Sequence, residues 1–146
     1  MPRPADAPEI NVIRLRELLE HLTAHPEEHD QNLWAMRKRE PNGDCKTACC
    51  AAGWTVSLSN EYSIAWRSDA LRKNVEFSEY AINERGFEQH VKTVARELLG
   101  FTTREASVFF ASDNSLYQLW NYASTWTDGA IERPAEVVHR WSTPMT

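Results

Sequence analysis

Apolar positions recur with a helical period along most of the chain, while a middle stretch follows a period of two. Residues 9–24, EINVIRLRELLEHLTA, place Val12, Leu15, Leu19 and Leu22 at helical spacing, with Ile13 and Leu18 widening the stripe. That spacing predicts an amphipathic helix with a charged outer face. Pro26 either ends it or opens a new turn, and PEEHDQNLWAM reads as a short second helix that drops Trp34 onto the core. Later, FEQHVKTVARELLG puts Phe87, Val91, Val94, Leu98 and Leu99 on one side, with Gly100 as a natural C′ residue. Thr102 and Glu105 have the spacing of a capping box, for a helix buried through Ala106, Phe109 and Phe110. DNSLYQLWNYASTW predicts a further helix with Leu116, Leu119, Trp120 and Ala123 inward. Pro134 suits the start of PAEVVHRW, which presents Val137, Val138 and Trp141.

Residues 44–56, DCKTACCAAGWTV, hold three cysteines in six positions and then small residues up to a tryptophan. They read as a packed helix with Asp44 as its N-cap. Cys45, Cys49 and Ala52 lie along one face, and Ala48, Ala52 and Val56 form an overlapping stripe. Gly53 lowers helix propensity but would permit another helix to come close. The preceding REPNGD is a turn, with Asn42-Gly43 its strongest signal. In the middle, Tyr62, Ile64 and Trp66 alternate with Ser63, Ala65 and Arg67, the period of a strand. NVEFSEYAI offers Val75, Phe77 and, as a further option, the region to Ile82 as its partner, and the intervening DALRKN suits either a hairpin or a helical turn. A lone hairpin is marginal and would lean on the helices. The expected fold is therefore mainly α: a compact single-domain bundle of five to six helices, with a small two-stranded β-hairpin in the middle as an option. Residues 1–8 are expected to be a disordered tail, and residues 9–146 one mostly helical domain.

Composition narrows the class. The 146 residues are 42% hydrophobic and 25% charged, which suits one globular domain and is too apolar for a disordered chain. A net charge of -5, from 21 acidic and 16 basic residues, argues mildly against a general nucleic-acid binder. The basic runs Arg37-Lys38-Arg39 and Arg72-Lys73 are short and read first as solvated faces. No stretch approaches the ~20 apolar residues that span a bilayer, and MPRPADAP lacks the apolar segment of a secretory signal. Three clustered cysteines form no disulfide framework and suit a reducing cytosol.

Trp34, Cys45, Thr47, Cys49, Ala52, Gly53 and Trp54 resemble the recurring pattern of a group of small actinobacteriophage and prophage proteins. That pattern is Trp, a short gap, then Cys-Gly-Thr-x-x-Cys-x-Ala-Gly-Trp or -His. ARELLGFTTREASVFF is similar to the group's Ala-x-x-Leu-Leu-Gly-Leu-Thr-x-x-Glu-Ala-x-x-Leu-Phe through Ala95, Leu98, Leu99, Gly100, Thr102, Glu105, Ala106, Phe109 and Phe110. LRELLEHLTAHPEEHDQNLW is similar to the group's usual start. Lys46 stands where the pattern has glycine, and Cys50 is additional. The resemblance implies a phage origin and a largely helical fold, and it brings no catalytic mechanism.

The cysteines admit three chemical readings besides packing. A structural zinc site wants four thiolates or imidazoles; Cys45 and Cys49 would supply two, and His21, His25, His29, His90 or His139 the rest. The usual two-residue gap is absent, and Pro26 interrupts the helix that would align His21, His25 and His29. A thioredoxin-like pair needs Cys-x-x-Cys beside a strand and helix, and the spacing differs. A cysteine nucleophile needs a base such as His90 or His139, with no local signature to support it. Glu27, Glu28, Asp30 and Glu97 sit in patterns of exposed helix faces, not of a carboxylate pair. Packing is the preferred reading, because a free cysteine behaves as a small hydrophobe. On this basis no cofactor, metal or catalytic residue is expected.

The leading expectation is a phage-encoded accessory protein that binds a host protein in the bacterial cytoplasm, with no membrane partner. Its contact candidates are the aromatics outside the clear stripes: Trp66, Tyr80, Tyr117, Tyr122 and Trp126, two of them on the surface. A homodimer is an alternative way to cover them. The other function considered is a nucleic-acid-binding helical module, in which Arg37, Lys38, Arg39, Arg72 and Lys73 converge in space; a zinc- or cysteine-dependent enzyme ranks below it.

Overall fold

The computed structural model describes residues 3–138. Among them the chain forms five α-helices and seven short strands in two antiparallel sheets, a mixed α/β fold. This corrects the expectation of a mainly α bundle with at most one hairpin. The helices are α1 (Val12–Ala24), α2 (Ala51–Ser57), α3 (Val91–Leu99), α4 (Thr103–Phe109) and α5 (Leu116–Trp126). The strands are β1 (Met36–Arg39), β2 (Cys45–Ala48), β3 (Tyr62–Ile64), β4 (Arg67–Ser68), β5 (Val75–Phe77), β6 (Tyr80–Asn83) and β7 (Glu88–His90). One sheet has the order β2-β1-β5-β4, the other β3-β6-β7.

The helices follow their apolar stripes. In α1, Leu15, Leu18, Leu19 and Leu22 are buried, and the Asn11 side chain accepts a hydrogen bond from the Arg14 amide at 3.0 Å. Ile13, placed on the edge of the stripe, is instead 68% exposed. The capping box of α4 is formed, with the Thr102 and Glu105 side chains each accepting from the other's backbone amide. Gly100 ends α3 in the left-handed conformation. In α5, Leu119, Trp120 and Ala123 face inward. Helix α3 begins later than its stripe suggests: Phe87 is 65% exposed, and residues 88–90 pair with β6 as a strand. Residues 134–138 carry a turn instead of a helix start, and His139 and Trp141 lie outside the described residues.

The larger correction concerns residues 26–57. PEEHDQNLWAM forms only the 3-10 turn Pro26–Glu28 before the chain extends into β1. Cys45 to Ala48, expected as the first turn of a helix capped by Asp44, is a strand. Asn42-Gly43 turns the chain with Gly43 at φ +95°, and β1 and β2 pair on either side of it, Arg39 opposite Cys45 and Met36 opposite Ala48. The helix proper starts at Ala51. The middle strands are also paired differently from the expected hairpin. Tyr62–Ile64 pairs with Tyr80–Asn83, at the end of the region to Ile82 that the sequence offered, whereas Val75–Phe77 lies between β1 and β4.

Helix α2 is enclosed on all sides, with residues 51–56 buried. It packs against α1, α3 and β3, and a loop crosses over it. A Cβ on Gly53 would stand 2.0 Å from the Trp34 carbonyl oxygen and 2.8 Å from the Cys49 Cβ. The close neighbour is thus a loop backbone, not the second helix that the small residues suggested. Cys50, the N-cap, makes no capping hydrogen bond with its side chain; its Sγ donates to the Trp34 carbonyl at 3.9 Å. The surrounding loop supplies the partners: the Cys50 amide donates to the Leu33 carbonyl at 2.6 Å and the Ala51 amide to Gln31 Oε1 at 3.2 Å. Gln31 Nε2 in turn donates to the Phe109 and Ala111 carbonyls, tying α2 to the end of α4.

A second close approach fastens the segment before α1. A Cβ on Gly100 would lie 2.0 Å from the Glu9 carbonyl oxygen, and the Asn11 amide donates to the Leu99 carbonyl at 2.9 Å. Arg3, in the stretch expected to be a tail, donates to both oxygens of Glu105 at 2.7 and 2.8 Å and to the Gly100 carbonyl at 2.9 Å. Burial alone would raise the Glu105 pKa. The bonds from Arg3 and Thr102, with the arginine's charge, outweigh it and hold the carboxyl below its ordinary value.

Two outcomes follow from these contacts. Gly53→Ala should lower unfolding stability by about 3 kcal/mol, the upper end for overpacking, measured by urea denaturation. Wild type should carry a contribution from the Arg3–Glu105 pair of about 1–2 kcal/mol above the ordinary glutamate pKa of about 4.3. Because the folded-state pKa is depressed, that contribution is lost as pH falls through it. Arg3→Ala should therefore be less stable than wild type at neutral pH and converge with it in acid.

Candidate functional site

The four-stranded sheet meets the helical body chiefly where β2 adjoins the Pro26–Glu28 turn, and it carries much of the chain's positive charge. Residues 36–48 and 66–77 hold seven basic and four acidic residues, in a chain whose net charge is -5. Strand pairing fixes their placement. Arg37 lies opposite Thr47 on one side and Glu76 on the other, and Glu76 lies opposite Ser68. Two residues on, and so on the same face, Arg39 lies opposite Cys45. The turn between β4 and β5 adds Arg72, Lys73 and Asn74, the last at φ +64°. All of these but Thr47, together with Asp69 and Val75, line a cleft of about 260 Å³.

The two carboxylates of the cleft are already engaged. Asp69 organises the turn by accepting from the Leu71 and Arg72 amides at 2.8 and 3.1 Å, and from Arg72 Nε at 2.8 Å. The Leu71 amide, then the Arg72 guanidinium, hold its pKa below the usual carboxylate value. Glu76 accepts from Arg37 Nε at 2.8 Å, and that bond, with the charges of Arg37 and Arg39, lowers its pKa as well. Arg39 and Lys73 make no ion pair among the described residues. Arg37 and Arg72 are thus neutralised by carboxylates within the cleft, while Arg39 and Lys73 bring two further positive charges to its lining. On the opposite face of the hairpin, Lys38 stands directly across from Lys46. Like charges so placed destabilise a sheet, and the contact of Lys46 Nζ with Glu40 Oε1 at 3.7 Å offsets it only in part.

The five basic residues singled out from the sequence are thus carried by one sheet and its β4–β5 turn, with Lys38 on the far side. The expected aromatic contacts separate into two groups. Trp66 lies under the Arg37 guanidinium, 4.5 Å from ring centre to carbon, and Tyr80 lies 5.4 Å from that of Arg67. On α5, Tyr117 meets Arg133 at 4.7 Å, and Tyr122 stacks on Trp126 at 5.3 Å. Trp126 also packs edge-on against Phe101. Of the five, Tyr80 is exposed, at 37%, and the others are half-buried.

The motif residues are structural in their contacts. The Trp34 carbonyl covers Gly53, and its ring meets His90 edge-on at 4.7 Å. Trp54 is buried and donates through Nε1 to the Glu28 carbonyl at 2.7 Å. Thr47 is half-buried on β2. The cysteines do not share one environment, as the helical reading required. Cys49 and Cys50 are buried and Cys45 is exposed. Burial, then the neighbouring Cys50, pushes the Cys49 thiol up to about 12, and burial raises Cys50 too. Four residues of extended chain separate Cys45 from Cys49 by on the order of 13 Å, so they do not chelate one ion. His90, a candidate base, instead caps α3 by accepting from the Lys92 amide at 3.0 Å, and burial lowers its pKa.

Sequence reasoning missed Cys45 and Asn74 as members of the cleft. The available signal was Asn42-Gly43, a strong hairpin marker, which places Cys45 across from Arg39. No helix among the described residues is long and apolar enough to cross a membrane. No protein-family model, curated protein or solved structure matches the chain. The phage origin implied by the resemblance rests on the sequence motifs alone.

The thiol environments give a direct check. One of the three cysteines, Cys45, should react rapidly with a chromogenic thiol reagent in the folded protein, and Cys45→Ser should abolish that fast phase. Cys49 and Cys50 should react only after denaturation.

Proposed function

We propose that the chain is a binding protein that takes the phosphate backbone of nucleic acid on the basic face of its four-stranded sheet. The observation that supports this reading most is the convergence of Arg37, Arg39, Arg72 and Lys73 on one cleft, from two separate segments. Phosphate contacts dominate nucleic-acid affinity and need cations rather than an elaborate pocket. The cleft is lined by four cations drawn from β1 and from the β4–β5 turn, a spread along the sheet that suits successive phosphates of a polymer. Trp66, roofed by Arg37, offers a stacking surface beside the phosphate path once that arginine turns to a phosphate. We place this activity in the reducing cytoplasm of a bacterial cell, a setting that three free cysteines suit.

Fluorescence anisotropy with labelled single- and double-stranded oligonucleotides tests the reading. Binding should be measurable at low salt and weaken steeply as salt rises. The Arg39→Ala/Lys73→Ala pair should weaken binding and flatten the salt dependence by about 0.7 in log–log slope for each single-strand phosphate that is no longer neutralised. Lys92→Ala, on α3, should change neither. Failure to bind DNA or RNA of any form at low salt would remove the proposal.

A protein partner is the second reading, and one observation favours it. The Tyr122–Trp126 stack adjoins a cleft of about 490 Å³ lined by Ile10, Val12 and Trp126 together with Arg3, Glu9 and Asp128. A cleft that sets aromatic and aliphatic side chains beside charged ones has the composition of a protein contact. Repeated recovery of one bacterial protein, abolished by Tyr122→Ala, would support it.

A further inference from the structure

The end of α1 and the turn behind it gather four metal-ligating side chains that neither binding reading uses. His21 and His25 are one helical turn apart, at the last turn and C-cap of α1. The 3-10 turn Pro26–Glu28 then brings two carboxylates back beside them. His21 Nε2 lies 3.0 Å from Glu28 Oε1, and His25 Nδ1 lies 3.6 Å from Glu27 Oε1. The two imidazole rings are 4.8 Å apart between centroids. Ligand atoms of His25, Glu27 and Glu28 all lie within 4.8 Å of one another.

We infer that these four side chains form a divalent transition-metal site of two imidazoles and two carboxylates. Bonds of about 2.0–2.1 Å in a tetrahedral zinc site hold neighbouring donors about 3.3–3.4 Å apart. The His21–Glu28 and His25–Glu27 separations, 3.0 and 3.6 Å, lie near that spacing, and the other separations among His25, Glu27 and Glu28, within 4.8 Å, would contract around an ion. Two imidazoles select zinc and its neighbours over magnesium or calcium. Half of the site is held in place from below. The Glu28 carbonyl accepts from the Cys49 amide at 3.0 Å and from Trp54 Nε1 at 2.7 Å, while the His21 ring rests against Trp54 at 4.4 Å. His25 and Glu27 are exposed and free to close over an ion.

Helix α1 ends at Ala24 with His25 as its C-cap, so Pro26 breaks the alignment between His25 and His29. His29 leaves the group, with its Nε2 at 2.7 Å from Gln31 Oε1, while Glu28 returns to His21 in its place. The ion would clasp the end of α1 to the loop that crosses α2. It would do so without any of the cysteines first considered as ligands.

Zinc titrated calorimetrically into the full chain, with cobalt absorption as a geometric reporter, tests the site. The expected result is one saturable equivalent, a tetrahedral visible cobalt spectrum, and a Tm that rises with zinc. The His25→Ala/Glu27→Gln pair changes two exposed residues, so its metal-free Tm should match wild type. Its zinc affinity should fall about tenfold or more, and its Tm should no longer respond to zinc. Cys45→Ser should leave all three readouts unchanged. Absence of a saturable equivalent, or binding that survives the pair and disappears with Cys45→Ser, overturns the inference.

Discussion

A short helix buried along all but its last residue sets the terms for the rest of the molecule. Residues 51–56 are buried throughout, so every orphan amide at the start of α2 needs a protein partner. A capping side chain would ordinarily serve, but Cys50 does not cap. The loop from Glu28 to Trp34 takes that role with its backbone and with Gln31. To reach those amides it must lie against the helix, and Gly53 is where it touches. Trp34, Cys49, Gly53 and Trp54 therefore form one device. The glycine admits the loop, and the buried cysteine fills the space beside it. Trp54 then fastens Glu28 to the far side.

The electrostatics divide along the same architecture. The two segments that form the four-stranded sheet are net positive, while the whole chain is negative. Acidic residues within the cleft do not cancel this, since Asp69 is committed to its turn and Glu76 to Arg37. The Lys38–Lys46 juxtaposition costs the sheet stability. That pair lies on the face opposite the cleft, so both sides of the hairpin carry positive charge.

Much of the helical part was legible because long amphipathic helices report themselves through their stripes. Leu15, Leu18, Leu19 and Leu22 in α1, and Leu119, Trp120 and Ala123 in α5, are buried as their spacing predicts. The strands were hidden for several reasons. Met36–Arg39 reads MRKR, with no apolar alternation, because the strand packs little against the core. Arg67–Ser68 is two residues long, too short for any period to register. Cys45–Ala48 carries residues compatible with a helix, and the small residues after it extended that impression one turn too early. Phe87 and Ile13 misled in the other direction, being large apolar residues that the fold leaves outside. The basic cleft depended on β5 pairing with β1, a long-range match that local pattern does not encode.

The Arg3–Glu105 pair has a kinetic consequence. Its partners are 102 residues apart in sequence, whereas the loop, hairpin and helix around Gly53 close among near neighbours in the chain. Bringing distant segments together carries the larger loop-closure entropy. The expected order of assembly therefore starts with residues 28–57 and ends when residue 3 is clasped. The same clasp is then the first to release when the folded chain begins to fray.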